Sequence, residues 1–311
     1  MEKLTGIWSA APTPLFPGPK VDASSVDRMV EHHLRLGVRG LFLAGSCGEG
    51  TLLPPEEKRR LVRSAAEASN GRLVIAAQVT DSTPERIGRN IEDARADGAD
   101  IAVIGPPANL EIEHPDQVGQ FYLDAVRRSR LPVGLYDLGD RRAYSIPIDW
   151  LDDLYREPNV HLVKDSSTDP ARRNIALRVR ADRDDFRLFN GDEFNCVEYL
   201  KAGYDGLMLG GGVFNGYLAG MIVDAVGARD MELANRLQQR MNKLMHAVYG
   251  GPEVQCWLSG LKYLLKTMGV FSTRLTLSEY PFTDRCRDEI AQVLKVERDL
   301  LLPAPGAVSV R

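Results

Sequence analysis

Eight short apolar segments alternate with amphipathic segments over the first 226 residues of this 311-residue chain, and this alternation constrains the fold more than any other feature. The amphipathic segments carry apolar residues at three- and four-residue spacing, as in Val26, Met29 and Val30, which is the period of a helix that buries one face. Eight strand–helix units in succession imply parallel strands that close into a barrel, so we predict an α/β fold of the (β/α)8 TIM-barrel type. The predicted strands are Gly6–Ala10, Gly40–Leu43, Leu73–Ala77, Asp100–Ile104, Pro132–Tyr136, Val160–Lys164, Phe186–Asn190 and Gly206–Leu209.

Local signals mark where the predicted helices begin and end. Ser82-Thr83-Pro84-Glu85 places a capping hydroxyl, a first-turn proline and an acid at a helix start. Gly37 and Gly98 each stand just before a strand, where a helix should stop. An open, doubly wound sheet is the competing architecture. However, no glycine fingerprint for a dinucleotide follows the first strand, which runs instead into Ala11-Pro12-Thr13-Pro14.

The pattern changes after Val226, where we predict helices with no strands between them. These helices cover residues 229–249, 254–268 and 284–300. We therefore predict a catalytic barrel over residues 1–226 and a C-terminal helical domain over residues 227–301 that packs on it. Residues 302–311 contain two prolines and little apolar periodicity, which predicts a poorly ordered tail.

Composition and charge argue against several classes of function. The 39 basic and 43 acidic residues are spread along the chain without a basic tract, so neither nucleic acid nor an anionic membrane is an expected partner. The amino terminus lacks the apolar core of a signal peptide, and no apolar segment approaches the length of a membrane span. The four cysteines form no C-x-x-C pair, which argues against a zinc site or a disulfide framework. We therefore expect a soluble cytoplasmic protein.

Two residues at the ends of neighbouring predicted strands carry the candidate chemistry. Barrel active sites lie at the carboxyl ends of the strands, and Lys164 ends the sixth strand while Tyr136 ends the fifth. Burial disfavours an ammonium group and favours the neutral amine, which is a nucleophile for carbonyl carbon. A neighbouring phenol can relay protons during imine formation and during carbon–carbon bond cleavage. A lysine that merely starts a loop and a tyrosine on the barrel rim are the simpler alternatives.

Other strand ends supply groups that could bind a substrate. The Gly45–Gly50 loop after the second strand offers free amide groups and the Ser46 hydroxyl, which suit a carboxylate. Asp192 and Glu193 after the seventh strand could hold substrate hydroxyls, or could be the solvated first turn of a helix. Arg141 could meet a distal anion, or could be an ordinary exposed loop residue.

The histidines do not support a metal-dependent mechanism. His161 has the opposite strand parity to Lys164, so its side chain should point outward to the helices. The others fall on helices or loops, and no histidine–carboxylate set converges at the strand ends. We therefore expect neither a metal nor another cofactor, because a lysine imine would supply the chemistry.

With the strand-two loop, the tyrosine and the lysine in this order, the chain resembles the dihydrodipicolinate synthase / N-acetylneuraminate lyase family over roughly residues 5–300. Its most specific motifs are Gly45-Ser46-Cys47-Gly48-Glu49, Leu135-Tyr136 and Val163-Lys164-Asp165-Ser166. These proteins are pyruvate-linked class I aldolases and related dehydratases, built on this barrel with a helical C-terminal domain. The resemblance also implies a homotetramer or a homodimer.

The resemblance implies roles for individual residues. Lys164 would form a Schiff base with a 2-oxo acid, Tyr136 would donate and accept protons, and Ser46 with Cys47 would bind the carboxylate. A further set would line the substrate site: Met208 beside the pyruvate moiety, Gly191 through its backbone carbonyl, and Arg141 at a distal carboxylate.

Three departures from the family pattern bear on the substrate. Cys47 stands where a threonine is usual, and Tyr136 is followed by Asp137-Leu138-Gly139 in place of Asn-x-Pro. The tyrosine pair of dihydrodipicolinate synthases after the fourth strand is replaced by Pro106-Pro107. In contrast, Asn190-Gly191-Asp192-Glu193-Phe194 looks like the sugar-acid lyases, whose Asp-Glu pair holds hydroxyl groups.

The leading hypothesis is a lyase that cleaves or forms a 2-oxo-3-deoxy sugar acid, with pyruvate and an aldehyde as partners. A dehydratase that uses the same imine is the nearest alternative, followed by condensation of pyruvate with aspartate semialdehyde. Two alternatives need no imine: a barrel that binds a phosphorylated ligand at Gly210–Gly212, and a ligand-binding relative without catalytic activity.

Overall fold

The structure is a computed structural model of the chain and describes residues 4–112, 114 and 116–304. Its centre is a closed barrel of eight parallel strands in the order β1-β4-β5-β6-β7-β8-β9-β10, with β10 hydrogen-bonded back to β1. This arrangement confirms the predicted fold class, and each predicted strand is present within one residue of its predicted bounds. The strands are β1 (Gly6–Ala10), β2 (Leu15–Phe16), β3 (Lys20–Val21), β4 (Gly40–Leu43), β5 (Val74–Gln78), β6 (Ile101–Ile104), β7 (Val133–Asp137), β8 (Val160–Asp165), β9 (Arg187–Asn190) and β10 (Gly206–Leu209).

Helices cover the outside of the barrel. Their boundaries follow the sequence signals: the Thr83 hydroxyl accepts the Arg86 amide at one helix start, and Gly37 and Gly98 have left-handed backbones after helix ends. No helix within the described residues is both long and apolar enough to cross a lipid bilayer. The helices between the strands are α1 (Ala23–Arg35), α2 (Pro55–Ser69), α3 (Pro84–Ala96), α4 (Asp116–Arg127), α5 (Leu151–Arg156), α6 (Pro170–Asp182), α7 (Cys196–Ala202) and α8 (Gly212–Gly227).

The C-terminal part is helical, as its sequence predicts. A run of turns over residues 250–256 separates the first two of its helices, and a break at Glu297 divides the last predicted helix in two. The division into two domains near residue 226 stays a prediction, and residues 305–311 of the predicted tail lie outside the described residues. The helices are α9 (Met231–Tyr249), α10 (Trp257–Thr267), α11 (Asp284–Val296) and α12 (Arg298–Leu301).

A small hairpin follows β1 and has no counterpart in the prediction. Its strands β2 and β3 pair in antiparallel fashion, and each contains only two residues. The turn between them contains Pro17, Gly18 and Pro19. Segments this short carry no hydrophobic period, so the sequence pattern offers no signal for them.

Large and minimal side chains alternate inside the barrel. Trp8 and Phe189 pack with ring centroids 5.1 Å apart, and both are fully buried. Gly40 and Gly206 face them: a Cβ atom at Gly40 would lie 2.4 Å from the Trp8 ring, and one at Gly206 2.7 Å from the Phe189 ring. The glycines therefore make room for the aromatic layer, above which the interior is open enough to hold a site.

Two adjacent histidines of α1 are buried. His32 is 5% exposed and His33 is 0% exposed, and neither Nε2 atom has a hydrogen-bond partner among the residues that the structure describes. Burial lowers the pKa of His32 to about 4 and that of His33 to about 3. Both imidazoles are consequently neutral in the folded protein, whereas the unfolded chain protonates them below pH 6.5.

We expect these histidines to make the free energy of unfolding fall more steeply as the pH decreases. The pKa values of both imidazoles in the folded protein lie below the value in the unfolded chain. Their contribution to the free energy of unfolding is therefore complete above pH 6.5 and is lost as the pH falls toward 4. In His33→Gln, the free energy of unfolding measured with urea should depend less steeply on pH between pH 6 and 4.5. The slope against pH should be smaller by about 1.4 kcal/mol per pH unit, which corresponds to one proton. The exposed His114→Gln variant is the control, and an equal slope in both variants would contradict this assignment.

Candidate functional site

Lys164 and Tyr136 are neighbours at the carboxyl ends of adjacent strands. They are register partners in the β7–β8 pairing, as the strand positions predict. The Lys164 Nζ atom lies 4.4 Å from the Tyr136 ring centroid and 5.2 Å from that of Phe42. Lys164 is 5% exposed and forms no ion pair with any described carboxylate, unlike the other buried lysine, Lys262. The site therefore holds a buried amine against two aromatic faces.

Gly191 allows the chain to approach Lys164 closely. A Cβ atom at this position would lie 1.9 Å from the Ser166 hydroxyl oxygen and 3.0 Å from Cε of Lys164. The Gly191 amide donates a 2.6 Å hydrogen bond to the Asp165 carbonyl, which joins β9 to β8 beside the lysine. Any larger residue at position 191 would have to displace these groups.

The loop after β4 is a tight turn in which two residues other than glycine have left-handed backbones. Ala44 and Glu49 bracket it with left-handed backbones, and a Cβ atom at Gly50 would lie 1.7 Å from the Ala44 carbonyl oxygen. Ser46 is exposed toward the cavity, while Cys47 is 3% exposed. Burial, with the charge of Glu193, raises the pKa of the Cys47 thiol to about 12. Cys47 is consequently a neutral side chain at physiological pH.

A buried ion pair anchors this loop to the C-terminal helices. The Lys262 Nζ atom of α10 lies 2.5 Å from Glu49 Oε2, and both side chains are about 1% exposed. The other carboxylate oxygen of Glu49 accepts the amides of Leu277 and Ser278, at 2.5 and 3.0 Å. The position of the Ser46–Cys47 segment thus depends on residues more than two hundred positions away.

Asp192 and Glu193 have different environments. Asp192 caps a short 3-10 helix and accepts the Phe194 amide and the Asn195 side-chain amide. The Glu193 carboxylate lies in the cavity wall and accepts the Gly211 amide at 2.7 Å and the Tyr249 hydroxyl at 2.9 Å. Burial raises the pKa of Glu193, although these two donors oppose the shift.

The Gly211 amide is the donor that a phosphate at Gly210–Gly212 would need, because Gly211 caps the start of α8. Glu193 already occupies this helix end with its own carboxylate. The arrangement disfavours the phosphate alternative.

A second buried ion pair lies directly behind Tyr136. Asp137 is 1% exposed, and its carboxylate lies 3.1 Å from the Arg172 guanidinium on α6. Arg172 also donates to the Ile146 carbonyl and to Asp140. It therefore joins the loop after β7 to the helix that follows β8. An asparagine at position 137 could not neutralise Arg172, so the departure from the Asn-x-Pro pattern has a structural partner.

These residues surround a cavity of about 250 Å3 at the mouth of the barrel. Its walls include Lys164, Tyr136, Ser46, Cys47 and Glu193, together with the predicted site residues Arg141, Asp192 and Gly191. Met208 is fully buried in β10 and does not line the cavity. The structure thus brings together all the predicted site residues except Met208.

The C-terminal part contributes wall residues that the sequence does not predict. Tyr249, Val254 and Trp257 line the cavity from the end of α9, the following turn and the start of α10. Val254 has a φ of 51°, a strained value for a β-branched residue, and Thr168 on another wall has a φ of 58°. These three residues reach the cavity because their helices pack onto the barrel, and no local sequence motif predicts this packing.

His161 lies away from the cavity, at an intermediate exposure, with its Nδ1 atom 3.7 Å from Asp185. This position agrees with the strand parity. Within residues 4–112, 114 and 116–304, no three histidine, cysteine or acidic side chains are grouped as metal ligands would be.

Comparison with known proteins identifies relatives over nearly the whole chain. The sequence model of the dihydrodipicolinate synthetase family matches residues 3–297. A 4-hydroxy-tetrahydrodipicolinate synthase of Listeria monocytogenes is 27% identical over 85% of this chain and 88% of its own. An N-acetylneuraminate lyase of Rhizobium meliloti is 27% identical over 79% and 81%.

Solved structures share the fold. The dihydrodipicolinate synthase of Bacteroides thetaiotaomicron superposes with a TM-score of 0.84 at 24% identity, covering 94% of this chain and 98% of that one. The Clostridium difficile protein CdNal, solved in complex with mannosamine, gives a TM-score of 0.81 at 19% identity over 94% and 98%.

The fold and the cavity define a (β/α)8-barrel protein with a buried lysine at the carboxyl ends of its strands. The chain belongs to the dihydrodipicolinate synthetase family. It is an enzyme, a carbon–carbon or carbon–oxygen lyase of the class I aldolase type.

Proposed function

We propose that this enzyme cleaves or forms a 2-oxo-3-deoxy sugar acid through an imine on Lys164, with pyruvate as one product or substrate. The observation that carries the proposal is the buried Lys164 amine, 4.4 Å from the Tyr136 ring in a cavity that the Ser46–Cys47 loop also lines. A lysine amine in this position can act as a nucleophile toward the carbonyl carbon of a 2-oxo acid. The loop offers the Ser46 hydroxyl and backbone amides to the substrate carboxylate.

The proposed cleavage proceeds through balanced steps. The Lys164 nitrogen attacks the C2 carbonyl of the 2-oxo acid, Tyr136 gives its proton to the departing hydroxyl, and loss of water leaves a protonated imine and the Tyr136 phenolate. Tyr136 removes the proton of the C4 hydroxyl. The C3–C4 bond then breaks, its electron pair moves toward the imine nitrogen, and an aldehyde leaves. The resulting enamine takes a proton at C3, and water releases pyruvate and the free amine. No metal or other cofactor takes part in this proposal.

The choice of a sugar acid rests on the part of the cavity wall that contains Glu193. The Glu193 carboxylate is held by Gly211 and Tyr249 and can accept hydrogen bonds from substrate hydroxyls. Pro106-Pro107 cannot supply the phenols on which condensation with aspartate semialdehyde would rely. A dehydratase that uses the same imine is the second candidate; its product would keep the whole carbon chain. We also infer a homo-oligomer, in keeping with the resemblance.

Borohydride trapping tests the imine. Incubation with pyruvate and borohydride should leave a stable carboxyethyl group on Lys164, located by peptide mass spectrometry. Lys164→Arg should abolish the adduct, whereas the exposed control Lys201→Arg should retain it. If wild-type protein binds pyruvate but gains no mass at Lys164, the imine mechanism is wrong. Pyruvate release from a panel of 2-oxo acids then separates lyase from dehydratase, because only a lyase shortens the chain.

A further inference from the structure

One face of α9 packs against the segment that carries Glu193. Four side chains share this face, because they stand four, four and three positions apart along the helix. They are Gln238, Asn242, His246 and Tyr249. All four contact the short 3-10 helix that follows β9. A single helix of the C-terminal part therefore supports this part of the cavity wall.

Three of the four residues fix the course of the chain at Glu193. The Gln238 side-chain amide donates a 3.2 Å hydrogen bond to the Glu193 carbonyl oxygen. The Asn242 side-chain amide donates one of 3.2 Å to the Phe194 carbonyl oxygen. The His246 ring stacks on the Phe194 ring with centroids 5.2 Å apart. The peptide groups that follow Glu193 and Phe194 are thus both attached to α9.

The fourth residue, Tyr249, acts on the Glu193 carboxylate itself. Its hydroxyl donates a 2.9 Å hydrogen bond to Oε1, while the Gly211 amide donates one of 2.7 Å to Oε2. The three groups meet closely: a Cβ atom at Gly211 would lie 2.9 Å from the Tyr249 hydroxyl oxygen and 3.0 Å from Oε2. Each carboxylate oxygen can accept two hydrogen bonds, so each retains one acceptor position for a substrate hydroxyl.

The same two donors stabilise the charge of a buried group. Burial raises the pKa of Glu193, and both hydrogen bonds oppose this shift because they stabilise the carboxylate. Burial and the charge of Glu193 raise the pKa of the Tyr249 phenol well above its usual value, so its hydroxyl keeps its proton and remains a donor. Loss of that hydroxyl would therefore change both the orientation and the charge of Glu193.

We propose that Tyr249 is the positioning residue that keeps Glu193 an oriented carboxylate, and that α9 thereby sets the preference of the enzyme for a hydroxylated aldehyde. This inference rests on the proposed function and deepens it. The barrel supplies Lys164 and Tyr136 for the reaction, and the C-terminal helix supplies the recognition of the aldehyde half. Tyr249 acts through Glu193, which receives the substrate hydroxyls.

The test compares two aldehydes of three carbons in the synthetic direction with pyruvate. Glyceraldehyde carries two hydroxyl groups and propanal carries none, so wild-type kcat/KM should favour glyceraldehyde. In Tyr249→Phe, kcat/KM at neutral pH should fall about tenfold to a hundredfold for glyceraldehyde, because a hydrogen bond to a charged group is lost. For propanal it should stay within about twofold. The variant keeps the ring that packs against Phe214, so the fold should be retained.

The pH profile provides a readout that a merely structural role would not move. Without the Tyr249 hydroxyl, the pKa of Glu193 rises further, so the carboxylate is present above that higher pKa and is lost as the pH falls through it. The pH below which kcat/KM for glyceraldehyde falls should therefore increase by about one unit or more in Tyr249→Phe, while the profile for propanal stays unchanged. In Glu193→Gln the preference should be absent at every pH, and adding Tyr249→Phe should have little further effect.

Tyr263→Phe is the matched control. Tyr263 lies on α10, packs against Phe282 and does not line the cavity, so both profiles should stay near those of the wild type. A wild-type enzyme without a preference for glyceraldehyde, equal losses for both aldehydes in Tyr249→Phe, or an unshifted pH profile would overturn the proposal. Failure of the proposed function would appear separately, as a missing pyruvate adduct on Lys164 in the wild-type protein.

Discussion

Replacing Lys262 with methionine should lower the free energy of unfolding by about 3–5 kcal/mol, the usual consequence of leaving one partner of a buried ion pair without the other. Glu49 would stay buried with only the Leu277 and Ser278 amides as partners. The segment that carries Ser46 and Cys47 would lose its anchor on α10, so pyruvate binding should weaken as well. Equilibrium unfolding in urea measures the first effect, and the rate of adduct formation on Lys164 measures the second.

The double variant Glu49→Gln with Lys262→Met separates charge from packing. It removes both charges and retains a carbonyl acceptor for the two amides, so it should recover most of the lost stability. A Lys262→Met protein within about 1 kcal/mol of wild type would show that Glu49 gains water or a proton instead. In that case the loop does not depend on the pair.

Replacing Tyr136 with phenylalanine should reduce kcat by about a hundredfold to ten-thousandfold, the contribution of a positioned proton donor and acceptor. The ring packing against Phe42 and Lys164 is preserved in this variant, since only the hydroxyl is removed. Adduct formation with pyruvate should persist at a reduced rate, because imine formation can use water as its proton source. Steady-state kinetics and mass spectrometry measure the two effects separately.

Tyr217→Phe is the control for this substitution. Tyr217 lies on α8 and does not line the cavity that contains Lys164, so the loss of its hydroxyl should leave kcat near the wild-type value. An unchanged kcat in Tyr136→Phe would remove this residue from the mechanism. The proton would then have to come from Ser46 or from water.

The barrel is predictable from sequence because its strands are buried on both faces. Segments such as Ile101–Ile104 are uniformly apolar and follow a glycine that ends a helix, here Gly98, so both the existence and the position of the strand can be predicted. Lys164 and Tyr136 are predictable for the same reason: each ends such a strand, and parallel strands bring their carboxyl ends together. The short hairpin of β2 and β3 lacks this signal.

The remaining parts of the site depend on packing over long distances. Tyr249 and Trp257 reach the cavity only because α9 and α10 dock on the barrel, and no local pattern encodes the docking.

The closure of the barrel has a consequence for how the chain is made. Strand β1 hydrogen-bonds to β4 on one side and to β10 on the other. During synthesis, β1 cannot pair with β10 until residues Gly206–Leu209 have left the ribosome. Until then, the nascent chain has two unpaired strand edges, one on β1 and one on the strand made last. A ribosome that stalls before β10 would release a product able to add strands from other chains, and such truncated products should be aggregation-prone.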